Sequence, residues 1–318
     1  MSSVLVIGSG DPADAPAGPL AEGLRAADAG IDVHLEAPEG PRLDLPGPAA
    51  RPARAVGARS QVRRLPALVT LTGARVVVSD DPATIAALGR LRRRGELGVP
   101  AVALVTRTRD ARSQAADGVD LHLLADPGLR HEVREAAPSS RIACVRGLLD
   151  PRYEGDAEVG AARRAVGVPE ASPLVVAFGG QDARGDLAGA GEVALAADPS
   201  ARVVILCGRN EERRAELAEW FSRARRLRVV GATDRLPDLL AAADVLVDTA
   251  DGLTAVEARL RGAAVIAFGR DEVAGRQELA DALIGALREP REQVAGYADR
   301  PAAADEVLAV AGLAPLPA

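Results

Sequence analysis

The clearest chemical signal in the sequence is a predicted strand, loop and helix that carry Gly252, Thr254 and Glu257. Residues 244–247 predict a short buried parallel strand and residues 248–253 a loop. A helix is expected to open near Thr254, with Glu257 in its first turn. Such a unit directs backbone N–H groups and the positive end of a helix toward the carboxyl edge of a sheet. Because open α/β sheets bind ligands at that edge, these residues predict a site for a phosphate-bearing molecule.

A second glycine-rich loop follows a predicted strand that begins after Pro173. The loop and the start of the next helix contain four glycines: Gly179, Gly180, Gly185 and Gly189. Glycine lets backbone N–H groups approach a diphosphate without a clash from Cβ. Asp182 and Asp186 lie in the same loop and would repel an anion if their carboxylates faced it.

Predicted strands and helices alternate along the chain, which indicates α/β domains built on parallel sheets. A length of 318 residues suits two domains. Pro82 is expected to open a helix capped by Asp81, and Asp234 is expected to cap the helix that begins at Leu236. Residues 38–59 are rich in Pro, Ala, Gly and Arg, and they predict a loop without regular structure.

Composition excludes several classes of protein. The formal net charge is −6 and aromatic residues make up 2% of the chain, which argues against a general nucleic-acid binder. No apolar run reaches the roughly 18 residues of a membrane span, and the start of the chain reads as a first strand and not as a signal peptide. We therefore expect a cytoplasmic protein.

The sequence offers little for metal or disulfide chemistry. Its three histidines are widely spaced, so we expect no metal site. Cys144 and Cys207 lie in apolar strand contexts and are expected to be buried free thiols. Every basic residue other than histidine is arginine, since the chain contains no lysine.

The loop after the first predicted strand reads GSGD and contains Gly8 and Gly10. It lacks the third glycine of the dinucleotide fingerprint, and Pro12 and Pro16 interrupt the expected start of a helix. An oxidoreductase that binds NAD at Gly8 and Gly10 is therefore one hypothesis, and the incomplete motif counts against it.

Several segments resemble glycosyltransferase family 28, which includes the monogalactosyldiacylglycerol synthases. The stretch GATDRLPDLLAAADVLVDTADGLTAVE resembles the family's G-F-T-x-x-M-P-x-L-M-x-A-A-D pattern and the A-G-G-x-T-x-x-E loop that follows it. CGRN at residues 207–210 and the linker around GLLDPRY also match. Asp251 stands where the family has a loop glycine, and the family's proline-glycine-Gln-Glu loop is replaced by GRDEVAGRQ.

The resemblance implies a fold and a division of the chain. It implies two facing Rossmann-like domains, the GT-B fold, with an interdomain cleft. Residues 1–150 would form the acceptor-side domain and residues 151–318 the nucleotide-sugar domain, with the last helices crossing back to the first. The implied activity is inverting transfer of a hexose from a UDP-sugar to an acceptor alcohol, in a lipid or a small molecule, without a metal or another cofactor.

The resemblance also implies roles for individual residues. Glu257 would bind the ribose hydroxyls, and Asp11 stands at the acceptor side, where a carboxylate can act as general base. The donor-binding set is completed by the following residues: Gly179, Gly180, Arg209, Asn210, Thr233, Gly252, Leu253 and Thr254. Among these, residues 252–254 would meet the diphosphate, whereas Arg209, Asn210 and Thr233 would meet the base.

Two alternatives stay open at this stage. Gly, Thr and Glu between a strand and a helix also arise purely as caps and turns. The substitutions at Asp11, Arg107 and Asp251 suggest a related protein that binds a nucleotide or a partner without catalysing transfer. Arg63, Arg64 and the arginines of residues 90–95 either hold anionic lipid heads at a peripheral membrane contact or form a solvated helix face.

Overall fold

The fold is seen in a computed structural model. It describes residues 2–8, 16–38, 50–107, 110–153, 158–250, 252–269, 275–289, 291 and 296–313. The chain divides into two compact units. Unit 1 comprises Met1–Glu154 together with Gly296–Ala318, and unit 2 comprises Gly155–Ala295.

Unit 1 is built on a six-stranded sheet in which every paired strand is parallel. In the first stretch of unit 1 the elements are β1 (Ser2–Ile7), α1 (Ala17–Ala27), β2 (Ile31–Glu36), α2 (Ala50–Thr72), β3 (Ala74–Ser79), α3 (Pro82–Arg93), β4 (Ala101–Val105), β5 (Leu121–Leu124), α4 (Arg130–Ala136) and β6 (Arg141–Cys144). The strand order is β2-β1-β3-β4-β5-β6. All five residues of β4 are buried, as expected for a central parallel strand with helices on both faces.

Unit 2 contains a five-stranded parallel sheet. Its elements are α5 (Val159–Val166), β7 (Leu174–Phe178), α6 (Leu187–Ala197), β8 (Arg202–Leu206), α7 (Glu211–Trp220), β9 (Leu227–Val230), α8 (Leu236–Ala242), β10 (Val245–Asp248), α9 (Leu253–Leu260), β11 (Ala264–Ala267) and α10 (Arg276–Ala286). The strand order is β9-β8-β7-β10-β11: the chain adds β8 and β9 on one side of β7 and then β10 and β11 on the other side. The carboxyl ends of the neighbouring strands β7 and β10 therefore mark the topological switch point, where open α/β sheets bind their ligands.

The chain returns to unit 1 after residue 295 and forms α11 (Ala303–Val310). A parallel bridge pairs Arg146 with Ala302, and the N–H of Ala303 donates to the carbonyl oxygen of Arg146 at 2.9 Å. Arg141 forms an ion pair with Glu306 at 2.5 Å. Helix α11 packs on α1, so the last described segment is part of the core of unit 1.

One loop predicted from the sequence is largely a helix. Helix α2 begins at Ala50 and runs for 23 residues, which corrects the prediction of irregular structure for the part of residues 38–59 from Ala50 onward. Alanine and arginine have high intrinsic helix propensity. Pro52 lies in the first turn, where the missing N–H removes no intrahelical hydrogen bond. Residues 39–49 of the predicted loop lie outside the described residues.

The helix cap predicted at Asp81 is confirmed. Its carboxylate accepts a hydrogen bond from the N–H of Thr84 at 2.7 Å, and Pro82 is the first residue of α3. The arginines that follow are partly used within the unit. Arg92 makes a bidentate pair with Asp120, through Nε at 2.9 Å and through a terminal nitrogen at 2.6 Å.

No helix among the described residues is long and apolar enough to cross a membrane. Both cysteines are free; Cys207 is buried and Cys144 is partly exposed.

A buried histidine lies on β5. The side chain of His122 is fully buried, and its Nε2 accepts a hydrogen bond from the N–H of Ala116 at 3.2 Å. Its Nδ1 has no hydrogen-bond partner among the described residues. Desolvation lowers the pKa of His122 to about 4; the positive charge of Arg134 acts in the same direction, and Asp117 opposes it. The imidazole is therefore neutral at pH 7.

We expect His122 to make the protein acid-sensitive. An unfolded histidine has a pKa near 6.5, so between pH 6.5 and 4 the unfolded state binds the proton and the folded state does not. The free energy of unfolding should fall by about 3 kcal/mol across this window. His122→Gln keeps an acceptor near the position of Nε2 without titrating, and it should remove this part of the pH dependence in urea denaturation.

His131→Gln is the matched control, because His131 is exposed on α4 and pairs with Glu135 at 3.4 Å. Its pH profile should follow that of the unmodified protein. A His122→Gln profile as steep as the unmodified one would contradict the assignment.

Candidate functional site

The candidate site is organised around the loop between β7 and α6, residues 179–186, which we call the glycine loop. The loop folds back on itself, because the N–H of Arg184 donates to the carbonyl oxygen of Gly179 at 2.7 Å. A Cβ on Gly179 would lie 2.5 Å from the carbonyl oxygen of Arg184. Gly180 has a φ of 72° and Ala183 a φ of 53°. Any side chain at position 179 would clash with the backbone of Arg184, so this compact turn requires glycine there.

Thr249, directly after β10, joins the glycine loop to the neighbouring strand. Its hydroxyl oxygen lies 2.6 Å from the carbonyl oxygen of Arg184 and 3.2 Å from that of Phe178, and it donates to them. Its N–H donates to Phe178 as well, at 2.9 Å. The Thr249 side chain is fully buried, and a Cβ on Gly185 would lie 2.7 Å from the Thr249 Cβ. The two loops at the switch point are therefore packed as one body.

The loop after β8 contacts the other side of the glycine loop. Gly208 has a φ of 55°, and a Cβ there would lie 2.5 Å from the Cα of Gln181. The N–H of Arg209 donates to the carbonyl oxygen of Gln181 at 2.8 Å. The Asn210 side chain donates to the carbonyl oxygen of Asp182 at 3.0 Å, and its oxygen caps α7. The structure thus brings Arg209 and Asn210 together with Gly179 and Gly180.

The acidic residues of the glycine loop have partners within unit 2. Asp186 caps α6 by accepting from the N–H of Gly189 at 2.7 Å, and it lies 3.5 Å from Arg276. Asp182 is exposed and pairs with Arg184 at 2.7 Å. Each carboxylate is matched by a cation of the same unit, which reduces the repulsion that the sequence alone suggested.

The N-terminus of α9 opens beside this loop. Gly252, the residue at the cap position, is extended, and none of the described atoms lies within 4 Å of a Cβ added there. It supplies no side-chain cap, so the N–H groups of Leu253 and Thr254 have no acceptor from the cap residue. Just before the helix, the carboxylate of Asp248 is buried and accepts from the N–H of Ala250 at 3.0 Å. A helix N-terminus without a side-chain cap, with none of the described atoms in front of it, has the local chemistry of an anion site.

Glu257 lies one residue further into α9 than the sequence suggested, because the helix begins at Leu253. It is the fifth residue of the helix, in the second turn instead of the first, and the residue is buried, with 9% of its surface exposed. Its role toward a ribose stays a prediction.

Thr233 is placed differently from the rest of the predicted set. Its hydroxyl oxygen accepts a hydrogen bond from the N–H of Arg235 at 3.1 Å in the loop before α8. Arg235, and not Asp234, occupies the cap position of α8, and it makes no side-chain cap, so the predicted cap at Asp234 is wrong. None of the described hydrogen bonds joins Thr233 to the glycine loop.

Other chemistry near the site is limited. Burial raises the pKa of the Cys207 thiol to about 11, so the sulfur is protonated at neutral pH and is a poor nucleophile. The described part of the chain contains no group of three or more His, Cys, Asp or Glu side chains arranged to hold a metal ion. Asp11 and Asp251 lie outside the described residues.

No protein-family model and no curated protein matches the sequence. Among solved structures, sucrose-phosphate synthase from Thermosynechococcus elongatus is similar with a TM-score of 0.59 at 16% identity, covering 91% of this chain and 90% of that one. A putative UDP-N-acetylglucosamine 2-epimerase from Listeria monocytogenes gives 0.58 at 12% identity, covering 97% and 95%. The Anabaena protein HepE in complex with UDP and glucose gives 0.56 at 14% identity, covering 98% and 97%.

At these levels of identity the similarity establishes the fold. The chain has two parallel-sheet α/β units, as in the GT-B proteins, which confirms the fold class predicted from the sequence. The comparisons do not reach individual site residues, so the predicted roles of those residues stay predictions.

Sequence reasoning missed the residues that hold the site together. The sequence analysis assigned no role to Thr249, yet its buried hydroxyl links two loops. Gly185 and Gly208 have positive φ and sit against Thr249 and Gln181. The sequence does contain one relevant pattern: a threonine that directly follows a predicted buried strand, in a domain with a glycine-rich loop after another strand.

Thr249→Val should separate the hydroxyl from the shape of the side chain. The change removes the donor from the partly buried carbonyl of Arg184, which costs about 1 kcal/mol of unfolding free energy. Thr249→Ser keeps the hydroxyl and should retain most of that stability in chemical denaturation. A Thr249→Val variant as stable as the unmodified protein, with the loss confined to Thr249→Ser, would show that the methyl group, and not the hydrogen bond, matters.

Proposed function

We propose that unit 2 binds a UDP-sugar at the carboxyl edge of its sheet, between the glycine loop and the N-terminus of α9. The observation that carries this proposal is the N-terminus of α9 at the switch point, where Gly252 provides no side-chain cap and none of the described atoms lies within 4 Å of a Cβ added to it. The similarity to the UDP-bound HepE supports the choice of ligand.

Each predicted residue then has a specific task. The N–H groups of Leu253 and Thr254 and the Thr254 hydroxyl would receive the diphosphate, with Gly179 and Gly180 giving close backbone approach. Further roles are proposed from the family 28 resemblance: Arg209, Asn210 and Thr233 toward the base, and Glu257 toward the ribose.

The proposed reaction is transfer of a hexose to an acceptor alcohol, with inversion at the anomeric carbon. Asp11 would take the proton of the acceptor hydroxyl as that oxygen attacks. As the bond to the diphosphate breaks, UDP gains negative charge, which the N–H groups and dipole of α9 would stabilise. One such donor is typically worth about 3 kcal/mol in the transition state.

The likeness to UDP-sugar 2-epimerases suggests a second candidate, in which the sugar of the same donor is epimerised. A third candidate is binding without turnover, which the substitution of Arg107 for the family's aspartate motivates. Product analysis distinguishes the three: a glycoside and UDP, an epimeric UDP-sugar, or unchanged donor.

Gly252→Ala tests the position of the diphosphate. Its backbone is extended and the space around it is open, so the free protein should keep its stability. A bound diphosphate would occupy that space, and the added methyl group should weaken UDP binding roughly tenfold or more in calorimetry. Gly98→Ala, also without described neighbours within 4 Å, is the matched control. Unchanged UDP affinity in Gly252→Ala would place the diphosphate elsewhere.

Titration with UDP and with NAD tests the class of ligand. UDP at 100 times its dissociation constant should stabilise the fold by about 2.7 kcal/mol, and NAD should leave it unchanged. Glu257→Gln preserves the size of the buried side chain and should weaken UDP binding about tenfold through the loss of a charge-assisted hydrogen bond to the ribose. A response to NAD alone would support the oxidoreductase hypothesis instead.

A further inference from the structure

Unit 2 has a concave, strongly basic surface on one face of its sheet, beside the edge strand β9. The cavity has a volume of about 650 Å³, and we call it the arginine groove. Six arginines line it: Arg164, Arg202, Arg225, Arg226, Arg228 and Arg235. No aspartate or glutamate lines it among the residues that the structure describes, although the whole chain carries a net charge of −6.

The floor of the arginine groove is apolar. Side chains alternate between the faces of a strand, so Val204 of β8 and Val230 of β9 point into the groove, opposite Ile205 and Val229 on the core side. Leu239 of α8 completes the apolar lining on one side. The groove therefore combines a hydrophobic base with a cationic rim.

Three of its arginines are bound to other parts of unit 2. Arg226 donates to three backbone carbonyl oxygens, of Leu195, Asp198 and Ala201, each at 3.0 Å. Arg235 donates to a backbone carbonyl oxygen of the α5 helix, and Arg164 lies within 4 Å of two glutamates. These three arginines therefore have structural roles within unit 2, and a ligand is not needed to account for them.

The other three, Arg202, Arg225 and Arg228, form no side-chain hydrogen bond or ion pair within the described part of the chain. Arg225 and Arg228 are exposed, and Arg202 is partly exposed at the start of β8. Like charges held around one concavity repel each other, and a bound anion would relieve that repulsion.

The groove is separate from the part of the proposed donor site that would receive the diphosphate, and it meets that site only at Thr233. It starts at the amino end of β8, at Arg202, and follows the face of the β8–β9 pair. The glycine loop and Gly252 lie at the carboxyl ends of β7 and β10, and none of them lines the groove. Thr233 does line it, which places that predicted base contact in the groove.

We propose that the arginine groove binds a small molecule that carries at least two phosphate charges and an apolar portion. Guanidinium groups match phosphate oxygens in bidentate geometry, and three unpaired cations suit a diphosphate or a bisphosphate. The volume lies in the range of small-molecule pockets. A concave surface does not fit a flat bilayer, and the negative net charge disfavours a nucleic-acid polymer.

Calorimetric titration of the full chain with inorganic pyrophosphate tests the proposal. The groove variant is the triple change Arg202→Gln, Arg225→Gln and Arg228→Gln. Its affinity for pyrophosphate should fall by about tenfold for each arginine removed. The control is the triple change Arg25→Gln, Arg75→Gln and Arg288→Gln, which alters the net charge equally at exposed arginines without described side-chain partners.

The control variant should bind pyrophosphate within about threefold of the unmodified protein. Equal losses of pyrophosphate affinity in the two triple variants would show that only the net charge of the protein matters, and would overturn the proposal. The absence of pyrophosphate binding to the unmodified chain would overturn it as well. Sedimentation with phosphatidylglycerol vesicles that is lost only in the groove variant, without pyrophosphate binding, would replace the small molecule with a membrane.

UDP titration of the same variants keeps this proposal distinct from that of the donor site. The groove variant should lose the pyrophosphate binding that excess UDP does not displace and keep its UDP response, and Gly252→Ala should show the opposite pattern. Loss of both ligands in the groove variant, with its melting temperature unchanged, would mean that there is one anion site and not two.

Discussion

The architecture of the candidate site depends on the hydroxyl group of Thr249. At the switch point of unit 2, β7 and β10 pair in the sheet, and the loops that leave them run to opposite faces. The Thr249 hydroxyl, fully buried and 2.6 Å from the Arg184 carbonyl oxygen, joins the loop after β10 to the glycine loop beyond the ends of the strands. Leaving this partly buried carbonyl unpaired is costly, so the bond helps to fix how far Gly185 lies from β10.

The two proposed anion sites of unit 2 have different sources of positive potential. At the N-terminus of α9 the positive potential comes from backbone dipoles, which are fixed by the fold and need no charged side chain. In the arginine groove it comes from formal charges on side chains, three of which have no hydrogen bond or ion pair within the described part of the chain. The first kind is preorganised for a charge that develops during a reaction. The second suits recognition of a charge that is already present.

The sequence predicted those features that arise from local chemistry. Buried parallel strands, the alternation with helices and the Asp81 cap all follow from short segments, and the structure confirms them. Helix α2 was missed because prolines and glycines near residue 50 resemble a loop, although its alanines and arginines favour a helix. Contacts such as Thr249 with Arg184 join positions 65 residues apart, which no local pattern encodes. The arginine groove was missed for the same reason, since its lining comes from several elements.

The return of α11 to unit 1 makes unit 2 an insertion within the chain of unit 1. Two covalent connections join the units instead of one, so a single proteolytic cut in either connection leaves the units tethered. Removing residues 296–313 would not merely shorten a tail. This truncation would remove the buried side chains of Val307 and Leu308 from the core of unit 1, and it would expose the face of α1 on which α11 packs. The folding of unit 1 therefore cannot be completed until the ribosome has synthesised all of unit 2.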